Sequence, residues 1–532
     1  MEVRKPAPSA ERVVIQDGHF FLNGERFIVR GVGYEPGARP GQYPWLRKFE
    51  PEVLHFDLER IQNAGFNTLR CWSGYTDEEL TVMEEAGLWV IQGIWVPQDG
   101  QFDNPAFIRD ALKHVEEVVR VSRKHKNILM YVVMNEPLAE NILRSGEENF
   151  VQLLHTLQDR IHTLDPGVPV TFANTITGDF IDISSLDVAA FNLYIYSTST
   201  IQSVLGYRGY VEWLKKERAP HQPLVITEFG LSVSHSGEGA MGYGGNSLKE
   251  QAEGDLWMLD SLLQGGADGS CAFQYADGWW KGGKTPNSAD THDDEPEEWF
   301  GLIGIDSKEH PEGSPRPAYY AFQKENAALW IQPVSWKEYP DILPLEVYAT
   351  DDITAVEAQT ESGQIVHLKQ DKSWWRGMIP ADSLKPLEKI QLSVQSKKFG
   401  EIKKERSIVT RWHELPEELQ PLEFTLEDFS PVPMKDSVRV IRVTSRDGMP
   451  IANRSFTVGV HVHHGWDHGE ARKVVSDPLG RVEVKLGPFA QAGILTLSIS
   501  TGSTPLKDEP VWGNAFVLHC NNGPAASVTP PP

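Results

Sequence analysis

The sequence is short of cysteine, of long apolar runs and of positive charge, and each shortage removes a class of protein. Only three cysteines, Cys71, Cys271 and Cys520, occur in 532 residues. They supply neither a disulfide framework nor the paired spacing of a cysteine metal site. Two of them sit inside apolar strand patterns, where a buried thiol is an inert packing residue. No stretch approaches the ~18 consecutive apolar residues needed to span a bilayer. Basic residues number 50 against 74 acidic ones, a formal net charge of −24. That field repels polyanions and anionic lipid, so neither nucleic acid nor membrane is expected as a partner. A phosphate-binding turn is missing too, because Gly31-Val32-Gly33-Tyr34 lacks the rest of a dinucleotide fingerprint. No cofactor and no metal are expected.

What is present is alternation. An Asn23-Gly24 pair separates two short apolar segments, the strongest short-range hairpin signal. Eight strand-like runs follow, at 27–33, 68–72, 88–95, 128–135, 168–173, 188–194, 224–227 and 269–275. Between them lie amphipathic helical stretches at 53–64, 77–86, 105–124, 150–163, 204–215 and 247–263, with one more at 317–328. The connection at 181–186 is short and only weakly helical. Asn104 before Pro105 puts a capping side chain ahead of a proline at the first helical position. Strands that read as nearly continuous apolar runs are covered on both faces, the habit of parallel sheets. The expected fold is therefore α/β, a (β/α)8 TIM barrel over 13–332 that includes the N-terminal hairpin.

Beyond about residue 330 the helical period fades and short alternating strands take over. Two small all-β, sandwich-like domains are expected, at 333–412 and 434–525. A Pro- and Glu-rich linker is expected at 413–433. Residues 1–12 are polar and lack the apolar core of a signal peptide, and 526–532 (ASVTPPP) reads as a tail. Two compartments stay open: cytoplasmic, or secreted with a signal removed. Oligomeric state is left open.

Barrel enzymes place their chemistry at the C-terminal ends of the strands. Strand four ends Met134-Asn135-Glu136-Pro137 and strand seven ends Thr227-Glu228-Phe229-Gly230. A carboxylate closing an apolar run is costly unless it faces a functional cleft. Two such glutamates, three strands apart, match the pair that retaining glycoside hydrolysis uses, one attacking the anomeric carbon and one protonating the leaving oxygen. The acid must hold its proton near neutral pH, which burial beside a second carboxylate arranges.

Order, strand context and separation of these motifs together resemble the clan of retaining (β/α)8 glycosidases that includes glycoside hydrolase families 2 and 5. The resemblance runs from Val13 to Leu329. It implies that Glu136 is the acid/base and Glu228 the nucleophile. It further implies that Asn135 holds the sugar 2-hydroxyl, that Arg70 supports the ionised nucleophile, and that Tyr194 donates to it. Trp279 or Trp280 is the implied stacking floor of the reacting sugar's subsite. Trp72, at the same strand end as Arg70, and Glu35, after strand one, join the substrate-binding candidates. The order of domains departs from family 2, where β-domains usually precede the barrel. The opening Phe20–Tyr34 segment also resembles fungal β-1,3-glucanosyltransferases of the same clan.

Three activities follow as alternatives: a retaining β-glycosidase acting on a β-linked oligo- or polysaccharide, a transglycosylase using the same two glutamates, or an inactive carbohydrate-binding barrel. Long segments after strand one (34–50) and strand eight (277–300) point to a walled pocket and exo action on a short oligosaccharide. Asp277 borders the cleft in this reading. The acidic run Asp290 to Glu298 lacks alternating ligand spacing and is expected as a solvated loop. His461, His463, His464 and His468 are expected as a polar strand end rather than a zinc site. Of Trp374 and Trp375, one is expected inward and one outward.

Overall fold

Eight parallel strands form one sheet in the computed structural model, which describes residues 12–37, 39–196, 200–281, 288–463, 468–502 and 511–521. They are β1 (Val29–Gly33), β2 (Thr68–Arg70), β3 (Trp89–Ile94), β4 (Ile128–Asn135), β5 (Val170–Ala173), β6 (Ala189–Asn192), β7 (Leu224–Phe229) and β8 (Gly269–Ala272). Hydrogen bonding runs from β5 back through β4, β3 and β2 to β1, then on through β8, β7 and β6. The sheet closes between β5 and β6 by a parallel bridge from Asn174 to Phe191 and by the Asn192 amide donating to the Asn174 carbonyl at 2.8 Å.

Helices cover the outside, which is why the strands carry apolar residues on both faces. The helix Pro105–Ser122 starts as its sequence dictates, with Asn104 Oδ1 accepting from the Ala106 amide at 2.8 Å. No helix forms at 181–186, where the chain makes only turns. Inside the barrel Val29, Ile91, Met130, Val132, Val225 and Cys271 pack together, and Val13, Phe20 and Phe27 join them. The last three come from the N-terminal segment, whose strands Val14–Gln16, His19–Leu22 and Glu25–Arg26 make an antiparallel ribbon. They seal the end of the barrel opposite the strand C-termini. Among the described residues, no helix is long and apolar enough to cross a membrane.

The chain leaves the barrel slightly before residue 333. Strand Ala328–Gln332 pairs antiparallel with Ile342–Ala349 of the next sheet. Two four-stranded sheets then enclose a core that includes Leu345, Val356, Leu392 and Trp375. Trp374 faces the other way, into the barrel's core, with its Nε1 donating to the Arg26 carbonyl at 2.9 Å. The neighbouring tryptophans thus point to opposite sides, and both are buried because a second body covers each side.

The stretch expected as a linker contributes strand Leu422–Leu426, paired with Ser437–Ser445 in a three-stranded sheet. A five-stranded sheet completes the C-terminal sandwich and contains Ser455–Val462, Gly493–Ser500 and Gly513–Asn521. The Pro and Glu content of 413–433 masked a short strand whose inward positions, Leu422, Phe424 and Leu426, alternate in the usual way. Most of the expected tails, residue His464 and residues 282–287 lie outside the described residues.

Candidate active site

Glu228 is the penultimate residue of β7, and three donors converge on its carboxylate. Arg70 Nη1, from the end of β2, lies 2.5 Å from Oε1, and Trp72 Nε1 donates to the same oxygen at 2.8 Å. Tyr194 donates its hydroxyl to Oε2 at 2.6 Å. Three donors, one a guanidinium that cannot lose its charge, suit a carboxylate that stays ionised. Burial and the adjacent Glu228 charge hold the Tyr194 phenol well above its ordinary range, so it remains a donor.

Trp72 is fixed in its own right. The Arg70 guanidinium lies 4.4 Å above its ring, and its edge meets Phe273 at 5.5 Å. Its backbone amide donates to Glu35 Oε1 at 2.9 Å. A side chain at Gly33 would bring Cβ to 2.6 Å from the indole, so only glycine lets the ring lie against β1.

Glu136 sits just past β4 on a backbone bent into the left-handed region, with φ of 49° at Glu136 and 78° at Met134. Such conformations persist where the surroundings enforce them. Here the Glu136 amide donates to the Ala173 carbonyl at 2.8 Å. Asn192, at the end of β6, donates to Glu136 Oε1 at 2.7 Å and to Asn135 Oδ1 at 3.1 Å. Arg70 Nη2 donates to that same Asn135 oxygen at 2.6 Å, and Thr227 orients Asn192 by donating to its Oδ1 at 2.8 Å. The two glutamates are therefore linked through Asn192, Asn135 and Arg70. Burial, with the Glu228 charge second, raises the Glu136 pKa from 4.5 to about 7. Glu136 is thus pushed toward neutrality by burial and its neighbour's charge, while Glu228 is gripped by three donors.

Both glutamates face a cavity of about 1170 Å³, also lined by Glu35, Trp72, Asn135, Tyr194 and Trp280. Arg70 lies directly behind Glu228 and is 1% exposed. The long segments after β1 and β8 supply walls, as Pro44 and Trp45 come from the first and Trp280, Lys281, Glu297 and Phe300 from the second. Trp280 meets the exposed Trp45 edge-on at 5.6 Å. Lys281 pairs with Glu297 at 3.0 Å and lies 4.6 Å from the Phe273 ring centre.

Trp279 does not reach the cavity. In the 3-10 turn Trp279–Lys281 successive side chains diverge by ~120°. Trp279 points into the protein, donates to the Ile305 carbonyl at 2.8 Å and stacks on His292 at 4.8 Å. Asp277 is structural as well, gripping both terminal nitrogens of Arg316 at 2.7 Å each. The acidic run is only partly a solvated loop, since Glu298 is fully buried and Glu297 reaches the cavity. Among the described residues, no group of three or more His, Cys, Asp or Glu side chains is placed to hold a metal ion.

Sequence reasoning missed Asn192, Lys281, Glu297, Trp45 and Phe273. Asn192 had a usable signal, a polar residue ending the apolar run of β6. The others lie on loops or just past β8, where no period marks which side chains turn inward.

A closed eight-stranded parallel barrel with two glutamates at the ends of β4 and β7 is the arrangement of the retaining (β/α)8 glycosidase clan, and this chain is similar to its family 2/5-like members. More particularly, residues 13–253 match the model described as "Glycosyl hydrolases family 2, TIM barrel domain". The β-glucuronidase of Homo sapiens is 24% identical over 235 residues, 42% of this chain and 33% of that protein. The β-glucuronidase of Rattus norvegicus is 27% identical over 235 residues, 42% of this chain and 34% of that protein. The chain thus spans about a third of the length of the curated relatives it matches. Among solved structures, Parabacteroides merdae β-glucuronidase with glycerol in its active site aligns with 97% of this chain and 63% of its own, at a TM-score of 0.45 and 15% identity.

Proposed function

We propose that the chain is a retaining β-glycosidase that cleaves a β-linked oligo- or polysaccharide by double displacement. The observation that carries this reading is the contrast between the two glutamates. Burial and the Glu228 charge push the Glu136 pKa up to about 7. Glu228 is braced by Arg70, Trp72 and Tyr194.

In the first step Glu228 attacks the anomeric carbon while Glu136 delivers its proton to the departing glycosidic oxygen. The bond to the leaving group breaks as the glycosyl ester on Glu228 forms. In the second step Glu136, now a carboxylate, takes a proton from water, whose oxygen displaces Glu228 and restores both groups. Asn135 and Asn192 lie beside the acid, where they meet the 2-hydroxyl and keep the two carboxyls in register. Two inversions at one carbon give net retention.

The test is a panel of aryl β-glycosides, including a glucuronide because the named relatives are β-glucuronidases, with β-glucan and β-mannan oligosaccharides beside it. Wild type turns over at least one, and NMR of the first product shows the β-anomer. Glu228→Gln abolishes turnover, and a 2-fluoro-glycoside of the active sugar labels Glu228. An α-anomer as first product sinks the mechanism. Lengthened oligosaccharides among the products assign the second step to a sugar hydroxyl instead of water.

A further inference from the structure

We infer that the C-terminal sandwich is an integral part of the catalytic unit: through His463 and Ser500 it positions the loops after β5 and β6, and with them the Thr175–Ile176 cavity wall and Tyr194.

His463 follows strand Ser455–Val462 and is buried against the barrel. Its Nδ1 lies 3.0 Å from the Thr177 carbonyl and its Nε2 lies 2.8 Å from Thr496 Oγ1. A carbonyl only accepts, so Nδ1 carries the proton and Nε2 accepts from the threonine hydroxyl. Burial, with His461 next, holds the imidazole pKa well below its ordinary value. The ring is therefore neutral even with Asp179 Oδ1 at 3.6 Å from Nε2, and both ring nitrogens are used. His461 stacks on it at 4.2 Å, and the barrel's Phe180 meets its edge at 4.8 Å.

Thr177 lies at the centre of the turn Ile176–Gly178, immediately after Thr175 and Ile176, which line the cavity. Asn174 makes this turn move as one piece. Its Oδ1 accepts from the Thr175 amide at 2.8 Å and its Nδ2 donates to the Gly178 carbonyl at 2.9 Å. A Cβ at Gly178 would lie 2.4 Å from Asn174 Oδ1, so the turn tolerates nothing larger. A hydrogen bond to Thr177 therefore fixes the wall two residues away.

A second, independent tether acts on the next loop. Ser500 Oγ donates to the Val204 carbonyl at 2.6 Å, in the short helix Thr200–Leu205. From the same helix, Gln202 Nε2 donates to the Tyr194 and Ile195 carbonyls, each at 3.3 Å. Tyr194 is the residue whose hydroxyl meets Glu228. Ile494 and Ala515 of the sandwich belong to the same hydrophobic cluster as the barrel helices. A domain merely tethered in sequence would meet the barrel through a more polar, separable surface.

The kinetic part of this inference rests on the glycosidase reading; the structural part does not. Four full-length variants test it: His463→Ala, His463→Asn, Ser500→Ala and Ser500→Thr. Asparagine keeps a donor near the Nδ1 position, and threonine keeps the hydroxyl. Hydrogen–deuterium exchange is expected to rise at 174–178 in His463→Ala and at 200–205 in Ser500→Ala, with the remaining barrel amides unchanged. On the best aryl glycoside, His463→Ala raises KM about tenfold, the scale of one lost buried hydrogen bond. Ser500→Ala lowers kcat about fivefold, an effect that disappears in a Tyr194→Phe background because both act through the same hydroxyl. The asparagine and threonine variants stay near wild type in exchange and kinetics.

A lower melting temperature with exchange and kinetic constants unchanged would make the contact purely structural and overturn the inference. Wild type inactive on every glycoside would remove the glycosidase reading instead, leaving exchange at 174–178 and 200–205 to decide the tether.

Discussion

Arg70 holds Glu228 and Asn135 with the two terminal nitrogens of one guanidinium, at 2.5 Å and 2.6 Å. A planar fork is needed to reach both acceptors, and an ammonium has a single centre. Arg70→Lys is therefore expected to lower kcat/KM on the best aryl glycoside by about two to three orders of magnitude, the scale of breaking a buried charged pair. Arg70→Met leaves Glu228 as a buried charge without its counter-ion and lowers the melting temperature. Adding Glu228→Gln restores much of that loss, because the unpaired charge is gone. A double-mutant cycle in thermal denaturation checks this, and additive losses would contradict the pairing.

Glu136 sets the pH dependence. Burial, Glu228 and Glu297 raise its pKa from 4.5 to about 7, opposed by Asn192 and Lys281. The folded chain thus holds this proton more tightly than the unfolded one. Its stabilising contribution is complete below the unfolded value near 4.5 and is lost as pH rises through about 7. As the general acid, Glu136 places the alkaline limb of kcat/KM near pH 7. Removing a negative neighbour with Glu297→Gln moves that limb down, and Lys281→Met moves it up. A pH–rate series on the three proteins checks both directions, and an unmoved limb in both variants would detach it from Glu136.

Tyr194 and Trp72 give a finer comparison, since each supplies one donor to a different oxygen of Glu228. Tyr194→Phe removes a hydroxyl and little else, at a cost of roughly 10- to 100-fold in kcat, as expected for one hydrogen bond to a charged group. Trp72→Phe removes an equivalent bond but also the larger indole under Arg70, so both kcat and stability fall. If Tyr194→Phe raised KM alone, the hydroxyl would be touching sugar rather than nucleophile.

Strand ends were the legible part of this molecule. A period of two or a continuous apolar run fixes where a strand lies, and barrel geometry turns a strand's last residues into the site. Glu136 and Glu228 were therefore accessible from patterning, whereas Asn135 and Arg70 entered through the resemblance to the retaining glycosidase clan. Loop residues obey no period. Lys281 and Glu297 lie sixteen positions apart in sequence, and no periodic pattern announces that they pair. The histidine pair at 461 and 463 was legible as a strand motif, but the barrel loop that buries it was not. Domain contacts of that kind come from far-apart surfaces and leave no local trace.

The adjacent tryptophans after β8 separate packing from binding most directly. Trp279 is buried, donates to the Ile305 carbonyl and stacks on His292, whereas Trp280 opens on the cavity beside Trp45. Trp279→Ala empties a packed site and strands a carbonyl, which costs about 3–5 kcal/mol of stability. Any loss of activity should then follow the loss of folded protein. Trp280→Ala removes only a cavity face, so the melting temperature changes little. Its effect falls on KM, at about 10-fold for an aromatic stacking surface worth 1–2 kcal/mol. Thermal denaturation and Michaelis kinetics on both variants settle the assignment, and the reverse pattern, with KM rising in Trp279→Ala and Tm falling in Trp280→Ala, would return the sugar floor to Trp279.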